Sequence, residues 1–280
     1  MDNNLVDKLE SAKELAVADC DYELAANLRD LIKYYKENPK KEVKAETKSS
    51  PEPKFINQQP SENLVKHVRP WVDIVDVYLT IQGEGPFHGR PAIFIRTAGC
   101  NLSEVCKGCD TDYTTNRKVR YISDIIVKVK QLRKKGLIVI TGGEPLRQST
   151  IGDLCAALLN EGYSIQIETN GTYWWEDIPK EVIIVCSPKT PKLHPNLRVD
   201  AFKFVLTAGE IDEADGLPTS VLGSSIKPYR PPDRKIPIYV APADTKDPKQ
   251  NEENLRAAIQ SVLTFDYILS LQEQKLIGLP

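Results

Sequence analysis

The sequence predicts an α/β protein: an incomplete, open (β/α) barrel preceded by a small α-helical hairpin. Two observations predict it. From Arg69 on, short β-branched runs alternate with helical patterns over about 210 residues, which reads as a mainly parallel sheet with helices outside. That span is short for a barrel of eight complete units, so an open one fits better. Ahead of it, residues 3 to 37 carry two apolar stripes at helical spacing, enough for a hairpin and too little for a core of its own.

The hairpin occupies residues 1–38. Leu5, Leu9, Ala12 and Leu15 make the first stripe, Leu24, Ala25, Leu28, Leu31 and Ile32 the second, with Asp19 or Asp21 available as N-cap between them. Residues 39–68 are rich in Lys, Glu, Pro, Ser and Gln and poor in large apolar side chains, the composition of a flexible linker. Residues 69–280 form the main domain. Its predicted strands are 74–81, 92–97, 137–141, 163–169, 181–186, 201–206 and 236–241, and its predicted helices include 122–135, 147–161 and 251–263.

Composition narrows the function classes. The 280 residues are 41% hydrophobic with a formal net charge of -2, so no bulk field draws the chain to nucleic acid or membrane. No apolar run approaches the ~18 residues of a membrane span. The start, "MDNNLVDKLESAKE", is polar and acidic and does not read as a secretory signal. Six cysteines in such a chain are expected as reduced thiols or metal ligands, in the cytoplasm.

Three of them crowd into "AGCNLSEVCKGCDTDY": Cys100, Cys106 and Cys109, with gaps of five and then two residues. Four readings compete. A zinc knuckle needs a fourth ligand, and His88 is twelve residues upstream. A disulfide with a spare thiol sits badly with a reducing compartment. A thioredoxin-type pair, Cys106 and Cys109, leaves Cys100 without a role. A 4Fe–4S cluster on three thiolates leaves one iron open for chemistry. Context favours this last reading. The cluster follows a predicted strand, at the sheet edge where α/β proteins place their sites, and the next strand ends in "TGGEP", Thr141 to Pro145. Its glycines permit close backbone approach, and Glu144 offers an acceptor for an ammonium group. Cys155, on an apolar helical stripe, reads as core, while Cys20 and Cys186 receive no role. Tyr173 to Trp175 are expected to cover the sheet edge.

Two resemblances follow. "AVADCDYELAANLRDLI" resembles the UVR motif of excinuclease subunits and some protease adaptors, on Ala18, Asp21, Tyr22, Glu23, Ala25, Ala26, Arg29, Asp30 and Ile32. It implies a helical hairpin for protein–protein contact. The three cysteines followed by "TGGEP" resemble the radical S-adenosyl-L-methionine (SAM) superfamily. With "QGEG", "CDT", "IETNGT", "SPK" and "LSLQ" in that order, residues 71–280 resemble the 7-carboxy-7-deazaguanine synthases.

That second resemblance implies the radical SAM type of open barrel. It also implies a lyase that turns 6-carboxy-5,6,7,8-tetrahydropterin into 7-carboxy-7-deazaguanine with loss of ammonia, in queuosine-type biosynthesis. Its implied ligands to a 4Fe–4S cluster are Cys100, Cys106 and Cys109, with Thr111 on Mg2+. SAM would meet Gly108, Asp110, Gly143, Glu144, Ser187, Pro188 and Lys189. The pterin would meet Ile81, Gln82, Gly83, Arg96, Thr141 and the terminal carboxylate of Pro280. Expected partners are an electron donor such as flavodoxin, a second copy in a homodimer, and a protein docking on residues 1–38, with no membrane and no direct nucleic-acid binding. A radical SAM activating enzyme and a non-catalytic UVR-type interaction protein carrying a cluster are the alternatives. The chain departs from the family pattern in the long first cysteine gap, in Gly108 where an aromatic residue is usual, in Gln274 at a usual His position, and in Ala241-Pro242 where Gln-Pro is common.

Overall fold

The computed structural model describes residues 70–107, 109, 111–232 and 235–279. The predicted hairpin and linker, together with Gly108, Asp110 and Pro280, lie outside the described residues. The strands are β1 (Trp71–Gln82), β2 (Arg90–Thr97), β3 (Lys118–Tyr121), β4 (Leu137–Gly142), β5 (Ser164–Thr169), β6 (Ile183–Cys186), β7 (Ala201–Leu206), β8 (Ile238–Pro242) and β9 (Ile268–Leu269). They form one sheet in the order β3-β1-β2-β4-β5-β6-β7-β8-β9, parallel from β2 onward, with β1 antiparallel to both its neighbours. The two ends of the row are not paired to each other, so the barrel is open as expected.

Helices α1 (Ile122–Leu132), α2 (Ile151–Asn160), α3 (Pro248–Phe265) and α4 (Glu273–Leu276) complete the described elements. On α2, Ile151, Leu154, Cys155 and Leu158 are buried, one face at helical spacing. They meet Ile93 and Ile95 of β2, Ile138 and Ile140 of β4, and Ile165 and Ile167 of β5. Each such aliphatic side chain contributes about 1.5–3 kcal/mol by burial. Cys155 belongs to this core, and Tyr173, Trp174 and Trp175, partly buried, pack against it.

Three helix boundaries differ from the sequence expectation by three residues or more, each for a local reason. The helix predicted for 147–161 begins at Ile151, because the Gln148 side chain turns away. Its Oε1 accepts from the Asp73 N–H (2.7 Å) and its Nε2 donates to the Asp73 carbonyl (2.6 Å). The helix predicted for 122–135 stops at Leu132, ahead of Gly136 at φ 139°. Conversely, α3 starts three residues earlier than predicted, since Asp247 caps it through the Lys249 N–H and Pro248 suits the first turn.

Because side chains alternate along a strand, the odd and even positions face opposite layers. One face of the sheet carries the isoleucines above. The other carries Ala92, Phe94 and Arg96 on β2, Leu137, Val139 and Thr141 on β4, and Gln166 and Glu168 on β5. A one-residue bulge between Ile74 and Asp76 shifts the parity of β1. Val72, Ile74 and Val77 therefore stay in the isoleucine core, while Tyr78 packs beside Phe94 on the opposite face.

α3 buries Asn254 and Ser261 as well as Ala258. The Asn254 amide accepts from the Ala208 N–H (2.9 Å) and donates to the Ala243 carbonyl (2.8 Å), stitching the loops after β7 and β8 to the helix. Asn254→Ala orphans both groups at roughly 1–3 kcal/mol each. A urea melt of the full chain should show the domain's unfolding free energy fall by that amount, as a lower midpoint at unchanged slope.

Candidate active site

The apolar inner face of the parallel strands gives way to polar residues at their carboxyl ends, Arg96 and Thr141, then Glu168, while on β7 the polar residue, Lys203, stands mid-strand. Side chains at the strand ends point past the packed layer, where an α/β sheet leaves its crevice. A cavity of about 700 Å³ opens there, lined by all four together with Tyr78, Glu84, Thr111, the three clustered cysteines and Ser187 to Lys189.

Lys203 is the centre of the polar set. Its ammonium lies 2.7 Å from Glu84 Oε2 and 3.3 Å from Glu168 Oε2, with all three side chains about nine-tenths buried. Gln82 and Gln166 donate to Glu168 Oε1 at 3.0 and 3.1 Å, and Gln272 donates to Glu84 Oε1 at 3.1 Å. Burial works against the charge on Glu168, but the Lys203 ammonium, the Gln82 amide and the more distant Arg96 outweigh it and hold the carboxyl below its usual range. For Lys203, burial is likewise overcome by its two carboxylates, which raise its pKa.

The cysteine loop starts from β2. The Gly99 N–H, at φ 78°, donates to the Tyr113 carbonyl (2.9 Å) and closes the loop. The five-residue gap folds as one helical turn, in which the Cys106 N–H donates to the Leu102 carbonyl at 3.1 Å. The insertion is thereby absorbed within the loop, and Cys100, Cys106 and Cys109 all line the cavity. Burial lifts the Cys100 thiol to about 11, against the help of the Leu102 N–H. Burial also raises Cys106, with Lys189 opposing.

The two glycines of "TGGEP" prove to be needed by the cysteine loop itself. A Cβ on Gly142 would lie 2.2 Å from the Thr97 carbonyl oxygen, and one on Gly143 would lie 2.2 Å from that of Gly99 and 2.8 Å from Cys100 Cβ. The Glu144 N–H then donates to the Gly99 carbonyl at 2.9 Å. Glu144 is fully buried beside the cavity, and desolvation raises its carboxyl to about 7 although Asn170, Thr169 and Leu146 all donate to it. Asn170 and Thr172 reach back to Asn101, next to the first cysteine, at 3.0 and 2.9 Å. The role of the "IETNGT" segment is thus visible: it fixes Glu144 and the cysteine loop to one another.

Not every expected residue meets the cavity. Arg96, Thr141, Gly143, Ser187, Pro188, Lys189, Thr111 and the cysteines do. Gln82 reaches it only through Glu168. Ile81 is not among its lining residues, and Gly83 is covered by Gln274, whose Oε1 would lie 1.5 Å from a Cβ there. Lys203 and Glu168 were missed by motif reading. Their signal was a lone charge in an apolar strand, "FKF" and "IQIET", where an unpaired charge is too costly to bury.

Three thiols without a fourth protein ligand suit a 4Fe–4S cluster with one open iron, and their deprotonation would accompany its binding. Among the described residues, no three His, Cys, Asp or Glu side chains are already gathered as a closed metal site. The Thr111 hydroxyl on the same cavity suits a hard ion that keeps water in its shell. Since Gly143 abuts Cys100, Gly143→Ala should push the loop away. Iron bound per chain after anaerobic reconstitution, measured with the absorbance of the cluster, should drop well below wild type while the melting temperature changes little.

Comparison with known proteins agrees with this geometry. The model of the radical SAM superfamily matches residues 94–183, and that of the UvrB/uvrC motif matches residues 3–38. The 7-carboxy-7-deazaguanine synthase of Rhodospirillum rubrum is 43% identical over 218 residues, covering 73% of this chain and 91% of its own. That of Rickettsia prowazekii is 37% identical over 240 residues, covering 81% and 96%. The crystal structure of QueE from Escherichia coli shares the fold, with a TM-score of 0.52 at 24% identity over 72% of this chain and 93% of that one. With a relative of that identity matched along nearly its whole length, this chain belongs to the 7-carboxy-7-deazaguanine synthase family.

Proposed function

We propose that the protein is a radical SAM lyase that converts 6-carboxy-5,6,7,8-tetrahydropterin to 7-carboxy-7-deazaguanine with release of ammonia, in 7-deazapurine biosynthesis of the queuosine type. One observation carries the reading: a single cavity lined both by three cysteines and by Arg96, Glu168 and Lys203, in a chain whose relatives bear that enzyme's name.

Held by the three cysteines, a 4Fe–4S cluster with SAM would supply a radical for hydrogen-atom abstraction, and Mg2+ at Thr111 would supply positive charge. The protein's part is placement. Glu144, fully buried and bound by three protein donors, is the acceptor for the amino group of SAM by resemblance, and Gly143 borders the same site. Ser187, Pro188 and Lys189 border the same cofactor, with the Lys189 ammonium 3.2 Å from Ser187 Oγ. Gly108 and Asp110 complete the SAM site by resemblance, and Pro280 belongs to the pterin site on the same ground. Arg96 meets the substrate carboxylate with its fork of donors, Thr141 adds a hydroxyl, and Gln82 acts by holding Glu168. Ile81 and Gly83 belong to the pterin site by resemblance. Glu84, in the "QGEG" turn, is bound into the cavity wall by Lys203, which favours a pterin enzyme over an activating enzyme that has no use for this turn.

The same reading assigns the chain an electron donor such as flavodoxin, a reducing cytoplasmic setting for its thiols, and a protein partner for residues 1–38. It also assigns a second copy to cover the exposed edge strand β3. No helix among the described residues is long and apolar enough to cross a membrane.

The test is anaerobic reconstitution with iron and sulfide, then incubation with the carboxytetrahydropterin, SAM and Mg2+. Wild type should release 7-carboxy-7-deazaguanine and ammonia, and Cys106→Ala should cleave no SAM. A fully loaded cluster that yields no deazaguanine would sink the reading.

A further inference from the structure

Arg96 faces the cavity without a carboxylate partner. Among the described residues no acidic side chain lies within ion-pair distance of it, although Glu168 feels its charge. Its recorded partner is a phenol: Nη2 donates to Tyr78 Oη at 2.7 Å. The guanidinium also lies over the Tyr78 ring, 5.8 Å from its centroid. The ring is in turn held by Phe94, 5.7 Å away and tilted by 41°. In the β1–β2 ladder Tyr78 stands opposite Phe94, and Arg96 is the next residue along on the same face. The bulge between Ile74 and Asp76 is what brings Tyr78 to this face.

This arrangement has a consequence at the hydroxyl. Tyr78 Oη receives a hydrogen from Arg96, so its own proton points elsewhere, and no acceptor among the described residues takes it. Both side chains line the cavity. A cation stacked and hydrogen-bonded by a phenol, beside a hydroxyl with a proton to give, is a donor set for an anionic oxygen pair.

We infer that Tyr78 is a further substrate-binding residue, which fixes the plane of Arg96 and donates its own hydroxyl proton to the substrate carboxylate. The inference rests on the pterin reading above and adds to it the residue that selects for a carboxylated substrate. Nothing in the sequence motifs marks it: Tyr78 reads as one aromatic residue in a strand.

Tyr78→Phe keeps the ring, the stacking and the packing on Phe94, and removes only the hydroxyl. The full chain, reconstituted anaerobically, is assayed with the carboxytetrahydropterin and, for binding, with an analogue carrying a neutral hydroxymethyl group in place of the carboxylate. For the carboxylated substrate, KM and the dissociation constant should rise about tenfold or more, the worth of a hydrogen bond to a charged group. kcat should change little, substrate-free SAM cleavage should be unchanged, and affinity for the neutral analogue should be unaffected. An unchanged KM, or an equal loss for the neutral analogue, overturns the inference. The second outcome would assign the hydroxyl a merely structural role. A wild type that binds no carboxytetrahydropterin overturns the pterin reading and takes this inference with it. A wild type that binds it, beside a Tyr78→Phe variant that binds it equally well, overturns the inference alone.

Discussion

The site depends on one buried ammonium. Lys203 projects from the middle of an apolar strand between Phe202 and Phe204, and it is tolerated there because Glu84 and Glu168 close on it. Removing a charge from water costs several kcal/mol, and only good geometry with further hydrogen bonds repays it. Those further bonds come from Gln82, Gln166 and Gln272. The cluster therefore draws the turn after β1, the end of β5, the middle of β7 and the chain just before α4 onto one point. Two carboxylates against one ammonium leave a negative excess, which Arg96 balances at longer range. That Arg96 has no carboxylate mate of its own is the reason it stays available to a ligand.

A second constraint acts on the cysteine side. The loop after β2 and the end of β4 run so close that side chains at residues 142 and 143 would overlap backbone atoms. Glycine at both positions lets the Glu144 N–H bind the Gly99 carbonyl, and the Asn101 and Asn170 amides with the Thr172 hydroxyl brace the same contact. Glu144 and the first cysteine are thus held by one network. Motion of either would disturb both.

What was legible in the sequence was local. The strand predicted for residues 201–206 is β7 itself, because a six-residue run rich in aromatic and β-branched residues is too short for a helix. Strand β3 has only the four residues of "KVRY", all exposed on an edge, so its brief alternation marks no buried face; β9, of two residues, has no pattern to read. The cysteines, "TGGEP" and "SPK" could be found because each is compact in the chain. Lys203 could not be assigned, since its partners lie 119 and 35 residues away and only the fold joins them. Tyr78 was hidden by the bulge, which sets the face it occupies. Glu84 was seen as part of a turn, but its ion pair was not.

The claim that Lys203 organises this face is tested most directly by comparing urea unfolding of Lys203→Met with that of Lys203→Met/Glu84→Gln/Glu168→Gln. With the ammonium alone removed, two buried carboxylates are left facing each other, and stability should fall by about 3–5 kcal/mol. Neutralising both carboxylates in the same chain should restore most of that loss. A triple variant as unstable as the single one, or a single variant as stable as wild type, would contradict the account.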